Sequence, residues 1–317
     1  MNKAQKKAFE MRLQRAGPIV LDGGLATQLE KQGCDIGNSL WSASLLMTDT
    51  QSILNASRAY LDAGAEIIAT ASYQASREGF ARLDVSSDEA DSLMLLSVGI
   101  AKRAREEFLV DNPNSNRVPL VAASVGPYGA AQHDGSEYTG CYDVGVKALR
   151  LFHSNRLELF DNSDADVLAL ETIPSLAEAE VLADLSRDCN TPAWVSFSCG
   201  DAQHISDGTR IEDVANLYRD HPTVLAVGIN CTPPQHVTSL IRRIRQVLPK
   251  TPVVVYPNSG EAYNVTDNTW SGTVTSVDYA AAARDWVSAG AKLVGGCCRT
   301  GPEHIRAMAT AIEGGNH

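Results

Sequence analysis

Cys231, Cys297 and Cys298 are the residues of this 317-residue chain whose type and placement best suit chemistry. Cys231 follows Asn230 at the end of one apolar run, and the adjacent pair follows Gly295-Gly296 at the end of another. Three thiolates suit zinc, which prefers sulfur, and a catalytic zinc takes three protein ligands and keeps one position open. Two other readings fit the same residues. Buried cysteines act as small hydrophobes, the reading that suits the lone Cys34, Cys141, Cys189 and Cys199, and an adjacent pair can close a strained disulfide. The two glycines before the pair equally allow neighbouring side chains to converge on a metal. Further polar residues stand where other apolar runs stop: Asp22-Gly23-Gly24, the stretches 70–73 and 124–127, Glu171-Thr172, Ser198-Cys199, the string 256–261, and Arg299. The seven histidines form no pair at ligand spacing and end no apolar run, so they read as surface or loop residues.

Such residues need a frame that gathers them. Strand-length apolar runs occur at 19–22, 65–73, 118–125, 165–170, 192–199, 224–231, 252–256 and 291–295. They are near-continuous in Val, Ile, Leu and Ala rather than alternating, as parallel strands buried on both faces are. A helical pattern follows each, as in Ile53, Leu54, Ser57, Tyr60 and Leu61. Gly64 and Gly290 stand where helices must stop before the next strand, and Pro302 suits the first turn of a last helix that runs to about Ile312. Eight strands alternating with eight helices predict an α/β fold, a (β/α)8 TIM barrel spanning 1–317 as a single domain. An open doubly wound sheet is the alternative, but no Gly-x-Gly-x-x-Gly follows the first strand. In a barrel the active site gathers at the C-terminal strand ends, so Cys231 and the Cys297–Cys298 pair would meet at one rim. The loop at 263–275 is long enough for a flap over that mouth.

Composition narrows the partners. The chain is 44% hydrophobic and 21% charged, ordinary for a globular protein, and its formal net charge of -11 is spread without blocks of like charge. That balance argues against nucleic acid or an anionic membrane and leaves small molecules as partners. Seven cysteines, with no apolar leader and no membrane-length stretch, suggest reduced thiols and a cytoplasmic location.

The strings Leu21-Asp22-Gly23-Gly24, Ala71-Ser72-Tyr73-Gln74-Ala75, Ser124-Val125-Gly126-Pro127-Tyr128-Gly129, Glu171-Thr172-Ile173-Pro174, Gly228-Ile229-Asn230-Cys231, Tyr256-Pro257-Asn258-Ser259-Gly260-Glu261 and Gly295-Gly296-Cys297-Cys298-Arg299-Thr300 resemble, in order, the homocysteine S-methyltransferase family. The resemblance covers about residues 19–312, and the Asn-Cys and Gly-Gly-Cys-Cys-Arg elements are its most specific parts. The stretch 39–43 and the string 256–261 are most similar to the branch that uses S-methylmethionine. The betaine-using branch carries a tyrosine after the fourth-strand glutamate, where this chain has Thr172.

The resemblance implies zinc on Cys231, Cys297 and Cys298. Homocysteine is then expected with its ammonium on Asp22 and Glu171, its carboxylate near Ser72 and the Gly23-Gly24 backbone, and Asn230 beside it. A free thiol is only a few per cent thiolate at neutral pH, so metal coordination would supply the nucleophile. Trp41 and Tyr73 are candidates for an aromatic cage around a sulfonium, with Asn258, Ser259 and Glu261 for the donor's polar end. Three other readings compete: a betaine-dependent methyltransferase, a Schiff-base barrel, which would need a strand-end lysine that none of these runs carries, and a non-enzymatic zinc or thiol redox protein.

Overall fold

The computed structural model describes residues 2–37, 40–260, 262–264, 269–271 and 274–313. Its strands are β1 (Ile19–Val20), β2 (Ile67–Ala69), β3 (Leu120–Val125), β4 (Val167–Ile173), β5 (Ala193–Phe197), β6 (Val224–Asn230), β7 (Val253–Tyr256) and β8 (Ala291–Val294). They pair in parallel in the order β1-β8-β7-β6-β5-β4-β3-β2. Leu21 bridges Ile67 in parallel and the Asp22 amide donates to the Ile67 carbonyl at 3.1 Å, which closes the ring. This is the expected (β/α)8 TIM barrel, and the closed ring excludes the open sheet.

The near-continuous apolar runs are explained by two cores that share the strands. Leu21, Ile67, Ala122, Ala169, Trp194, Ala226 and Val254 fill the barrel interior. Val20, Ile68, Ala123, Leu168, Val195, Val227 and Val255 pack outward under the helices. Side chains alternate between these faces with period two. Two residues beyond Ala122, Ala169 and Trp194 stand Ser124, Glu171 and Ser196, so each polar residue tops an inward-facing column. The hydrophobic filling therefore delivers the polar layer to the barrel mouth.

Helix ends follow the expected chemistry. Gly64 and Gly290 adopt φ of 116° and 113° after helices Thr50–Ala63 and Ser276–Ala289, a left-handed conformation that costs glycine nothing. Pro302 opens the helix Pro302–Glu313. The helix Asn2–Gln14 is not legible as an apolar pattern, yet its Phe9 is fully buried 6.3 Å from the Trp194 ring and plugs the end of the barrel opposite the mouth. Arg12 and Arg15 fasten it by pairing with Glu66 at 2.7 and 2.8 Å. Strand β2 is shorter than its apolar run because the chain leaves the sheet after Ala69 and turns into the mouth.

Two readings need correction. His153 and His304 lie buried in helices, and His221 is buried in the loop before β6; His153 bonds Glu178 at 2.6 Å, and burial pushes its pKa down. Cys141 is exposed, whereas Cys199 is buried as a small hydrophobe. Of the expected flap, Ala262–Asn264 and Thr269–Ser271 pair as an antiparallel hairpin. No described helix is long and apolar enough to cross a membrane.

Candidate active site

Strands β6 and β8 bring three thiols together. Cys231 follows β6, with its amide donating to the Tyr256 carbonyl at 3.2 Å, and Cys297 follows β8, donating to the Pro257 carbonyl at 2.8 Å. The Cys231 Sγ lies 3.0 Å from that of Cys297 and 3.7 Å from that of Cys298, and all three sulfurs fall within 4.8 Å of one another. Cys231 and Arg299 both adopt positive φ, 48° and 63°, a region L residues rarely use and one that clusters at functional sites.

The three sulfurs bear on one another. Hydrogen bonds from Cys231 and Cys297 hold the Cys298 thiol well below its ordinary range. Cys231 is pushed well above it by its bonds to Cys297 and Cys298 and by burial, and Cys297 is pushed up by its bond to Cys298 and by burial against the opposing bond to Cys231. Three soft donors opening onto one cavity fit a thiophilic divalent metal. All seven cysteines are free thiols.

Two carboxyls share this cavity with the thiols. Burial pushes Asp22 up to about 7, with the Glu171 charge adding to the rise and a 2.7 Å bond from the Ala69 amide opposing it. Glu171 is also raised by burial, opposed by the Ser124 hydroxyl that donates to it and by Tyr256. Among the described residues neither forms an ion pair. Two desolvated acids without a basic side chain in contact make a site for a ligand's positive charge.

Asn230 tops β6 and lines the cavity, and it is also bonded to two neighbouring strands. Its Oδ1 accepts from the Thr172 amide at 2.7 Å and from the Ser196 hydroxyl at 2.8 Å, and its Nδ2 donates to the Thr172 hydroxyl at 2.7 Å. These bonds hold Thr172 at φ 64°, so Asn230 positions the residue that follows Glu171.

The other expected contacts are placed as follows. Ser72 lies behind the wall, its hydroxyl donating to the Ser124 carbonyl at 2.8 Å and paired with Thr70 at 2.6 Å; Thr70 and Ser124 line the cavity instead. Gly24 does line it, but its amide donates to the Thr300 carbonyl at 2.9 Å, whereas the Gly23 amide has no hydrogen bond among the described residues. A Cβ on Gly24 would meet the Cys297 carbonyl at 2.5 Å, so the close passage of the β1 and β8 loops requires glycine there. Asn258 and Ser259 stand outside the cavity wall, and their amides donate to the Thr232 and Cys298 carbonyls at 3.2 and 3.0 Å. They brace the thiol loop. Tyr73 lines the cavity. Trp41 begins the short 3-10 turn Trp41–Ser44, but its side chain and all of Glu261 lie outside the described residues.

The structure also adds residues to the site. Tyr138, on the turn Ser136–Tyr138 beyond β3, brings its hydroxyl to 3.9 Å from the Cys231 Sγ. Beside it Glu137 is buried, and burial pushes its carboxyl up to about 7. Arg156, itself buried, donates to the carbonyls of Gly126, Ser72 and Tyr73 at 2.7, 3.3 and 3.1 Å and so fixes the loops after β2 and β3. No motif marks these positions; their signal is only that they lie in or behind loops at the C-terminal face, where barrel chemistry gathers.

Comparison with known proteins matches this site to a family. The homocysteine S-methyltransferase family model matches residues 19–312. The chain belongs to that family. It is accordingly an enzyme that transfers a methyl group to a thiol. It is similar to the homocysteine S-methyltransferase YbgG of Bacillus subtilis, 47% identical over 92% of this chain and 93% of that one. The homocysteine S-methyltransferase of Escherichia coli is 41% identical over 96% of this chain and 98% of that one. The crystal structure of the Escherichia coli homocysteine methyltransferase MmuM in its metallated form superposes with a TM-score of 0.84 at 39% identity, covering 94% of this chain and 97% of that one. Family membership and the open triad of free thiols together displace the thiol redox and Schiff-base readings.

Proposed function

We propose that this enzyme transfers a methyl group from S-methylmethionine to the thiol of homocysteine, with zinc held by Cys231, Cys297 and Cys298, in a single barrel domain. The observation that carries the reading is the meeting of three thiols and two unpaired, desolvated carboxyls in one cavity. Homocysteine presents a thiol and an ammonium, the two groups that such a pair of subsites complements. When bound, zinc supplies a Lewis acid that makes a coordinated thiol ionise near neutral pH.

The chain's residues supply the rest. Asp22 and Glu171 pair with the homocysteine ammonium, and that pairing keeps both carboxyls ionised despite their burial. The Gly23 amide, beside Asp22 in the cavity wall, donates to the homocysteine carboxylate. Asn230 fixes Thr172 and with it the position of Glu171, while Ser124 and Tyr256 orient the Glu171 carboxylate. Tyr73 offers a ring face to the donor sulfonium. The donor's methyl carbon passes to the homocysteine sulfur as the donor's carbon–sulfur bond breaks, its electron pair remains on the departing sulfur, and the thiol proton goes to solvent; two methionines result. No protein base acts at the methyl carbon.

S-methylmethionine is favoured over betaine because the position after Glu171 is Thr172, where the betaine-using branch carries a tyrosine, and because betaine lacks the second amino-acid end that polar groups at the mouth would hold. The test is the initial rate of methionine formation from homocysteine with each donor at equal concentration. The expected order is S-methylmethionine, then S-adenosylmethionine, with essentially no rate from betaine. A faster rate with betaine overturns the donor assignment, and no methionine from any donor overturns the activity.

A further inference from the structure

Tyr138 reaches the thiols from the loop that joins β3 to the helix Val146–Asp161, and that loop is pinned at both feet. Glu178, fully buried on the helix Leu176–Leu185, accepts from the Tyr128 amide at 2.6 Å where the loop begins and from the Tyr142 hydroxyl at 2.9 Å where it ends. His153, also fully buried, brings its Nε2 to 2.6 Å from the Glu178 oxygen that the Tyr128 amide meets. The Tyr128 and Tyr142 rings meet edge to face with centroids 5.4 Å apart. Between the feet, the Gly140 amide donates to the Ser136 carbonyl at 2.8 Å and the Ser198 hydroxyl to the Glu137 carbonyl at 3.2 Å. The turn packs so tightly on Gly129 that a Cβ there would stand 2.5 Å from the Glu137 amide.

A loop fixed at both ends and in the middle presents its side chains with little freedom. The Tyr138 hydroxyl lies 3.9 Å from the Cys231 Sγ, and Tyr138 lines the cavity with all three cysteines. A thiolate can only accept, so once Cys231 ionises to hold a metal the hydroxyl is the donor of that pair. Three thiolates joined by the homocysteine sulfur leave excess negative charge on a divalent metal, and a hydrogen bond to one ligating sulfur draws off part of it and fixes that sulfur's orientation. We propose that Tyr138 is a positioning residue of the metal centre: its hydroxyl donates to the Cys231 thiolate and tightens the hold on the metal, and the Glu178 clamp keeps it there through Tyr142. The inference rests on the reading that the three cysteines bind the metal.

The test compares wild type, Tyr138→Phe, Tyr142→Phe and the double variant by competition for zinc against a chelator, and by the absorption of each after cobalt(II) replaces zinc. Phenylalanine keeps the rings and removes only the hydroxyls. Tyr138→Phe should bind zinc about tenfold more weakly. Its thiolate-to-cobalt absorption should move to longer wavelength, because a sulfur that loses a hydrogen bond gives up its electrons more easily. Tyr142→Phe should shift both readouts in the same direction by less, and should add nothing in the Tyr138→Phe background, since it acts through Tyr138. Zinc affinity of Tyr138→Phe within about twofold of wild type, or an unmoved absorption band, overturns the hydrogen bond. An additive effect of Tyr142→Phe overturns the clamp. A wild type that binds no metal fails the metal reading and the proposal with it, whereas a wild type that binds zinc no better than Y138F does fails the inference alone.

Discussion

Asn230 and Thr172 bond to each other twice, from the tops of two different barrel strands. The Asn230 amide oxygen accepts from the Thr172 backbone N–H and its nitrogen donates to the Thr172 hydroxyl, each at 2.7 Å. A β-branched residue at positive φ is unfavourable by ~1 to 3 kcal/mol and persists only where its surroundings hold it. Asn230→Ala removes that hold and leaves a buried N–H unsatisfied. It should destabilise the fold by ~1 to 3 kcal/mol and lower turnover by displacing Glu171. Urea denaturation and steady-state kinetics check this, and a variant within ~0.5 kcal/mol of wild type with normal kinetics would count against the clamp.

Cys231→Ser, Cys297→Ser and Cys298→Ser should each lose bound metal and turnover, because two thiolates and a hydroxyl hold zinc poorly. Secondary structure should remain, since the interior and outer cores are built from other residues, with Cys231 and its partners at the rim. Metal analysis and circular dichroism on the same samples decide it. A serine variant with full metal content and full activity removes the triad from the mechanism.

Asp22 gives the site a pH signature. With its pKa raised to about 7, it is protonated in the substrate-free protein below that pH and cannot pair an ammonium. Homocysteine KM should therefore fall as pH rises from about 6 to about 8. Asp22→Asn should raise KM roughly tenfold to a hundredfold and flatten the part of the profile that Asp22 causes. An acid whose folded pKa is raised favours folding most at pH below its unfolded value of 3.8, and that contribution is lost as pH climbs through about 7. Substrate-free wild type should accordingly lose stability over that window, and Asp22→Asn should lose less. Identical pH profiles for the two proteins would assign Asp22 to the turn alone.

Tyr73 tests the donor subsite from the ring side. Tyr73→Phe keeps the face and should leave the donor KM within a few fold. Tyr73→Ala should raise it by roughly twofold to thirtyfold, matching the ~0.5 to 2 kcal/mol of a cation over an aromatic face. Homocysteine KM should stay near wild type in both. An equal rise for the two substrates would point to a wall residue without donor contact.

The sequence by itself determined the barrel and the chemistry of its rim. Continuous apolar runs separated by helical patterns require parallel strands buried on both faces, and Gly64, Gly290 and Pro302 mark helix ends because few residues tolerate those conformations. Cys231, Cys297 and Cys298 were legible because strand ends in a barrel converge whatever their separation along the chain. What only the tertiary structure decided is which polar atoms remain available once the strands are packed. Ser72 has a binding-type side chain, yet its hydroxyl is bonded to neighbouring strands; Asn230 lines the cavity while holding Thr172, and the Asn258 and Ser259 amides brace the thiol loop. Tyr138 enters the site from a loop without any motif. Hydrogen-bond satisfaction and desolvation arise from contacts between distant segments. Residue type and spacing therefore fix where functional groups can gather, and packing decides which of them still need a partner.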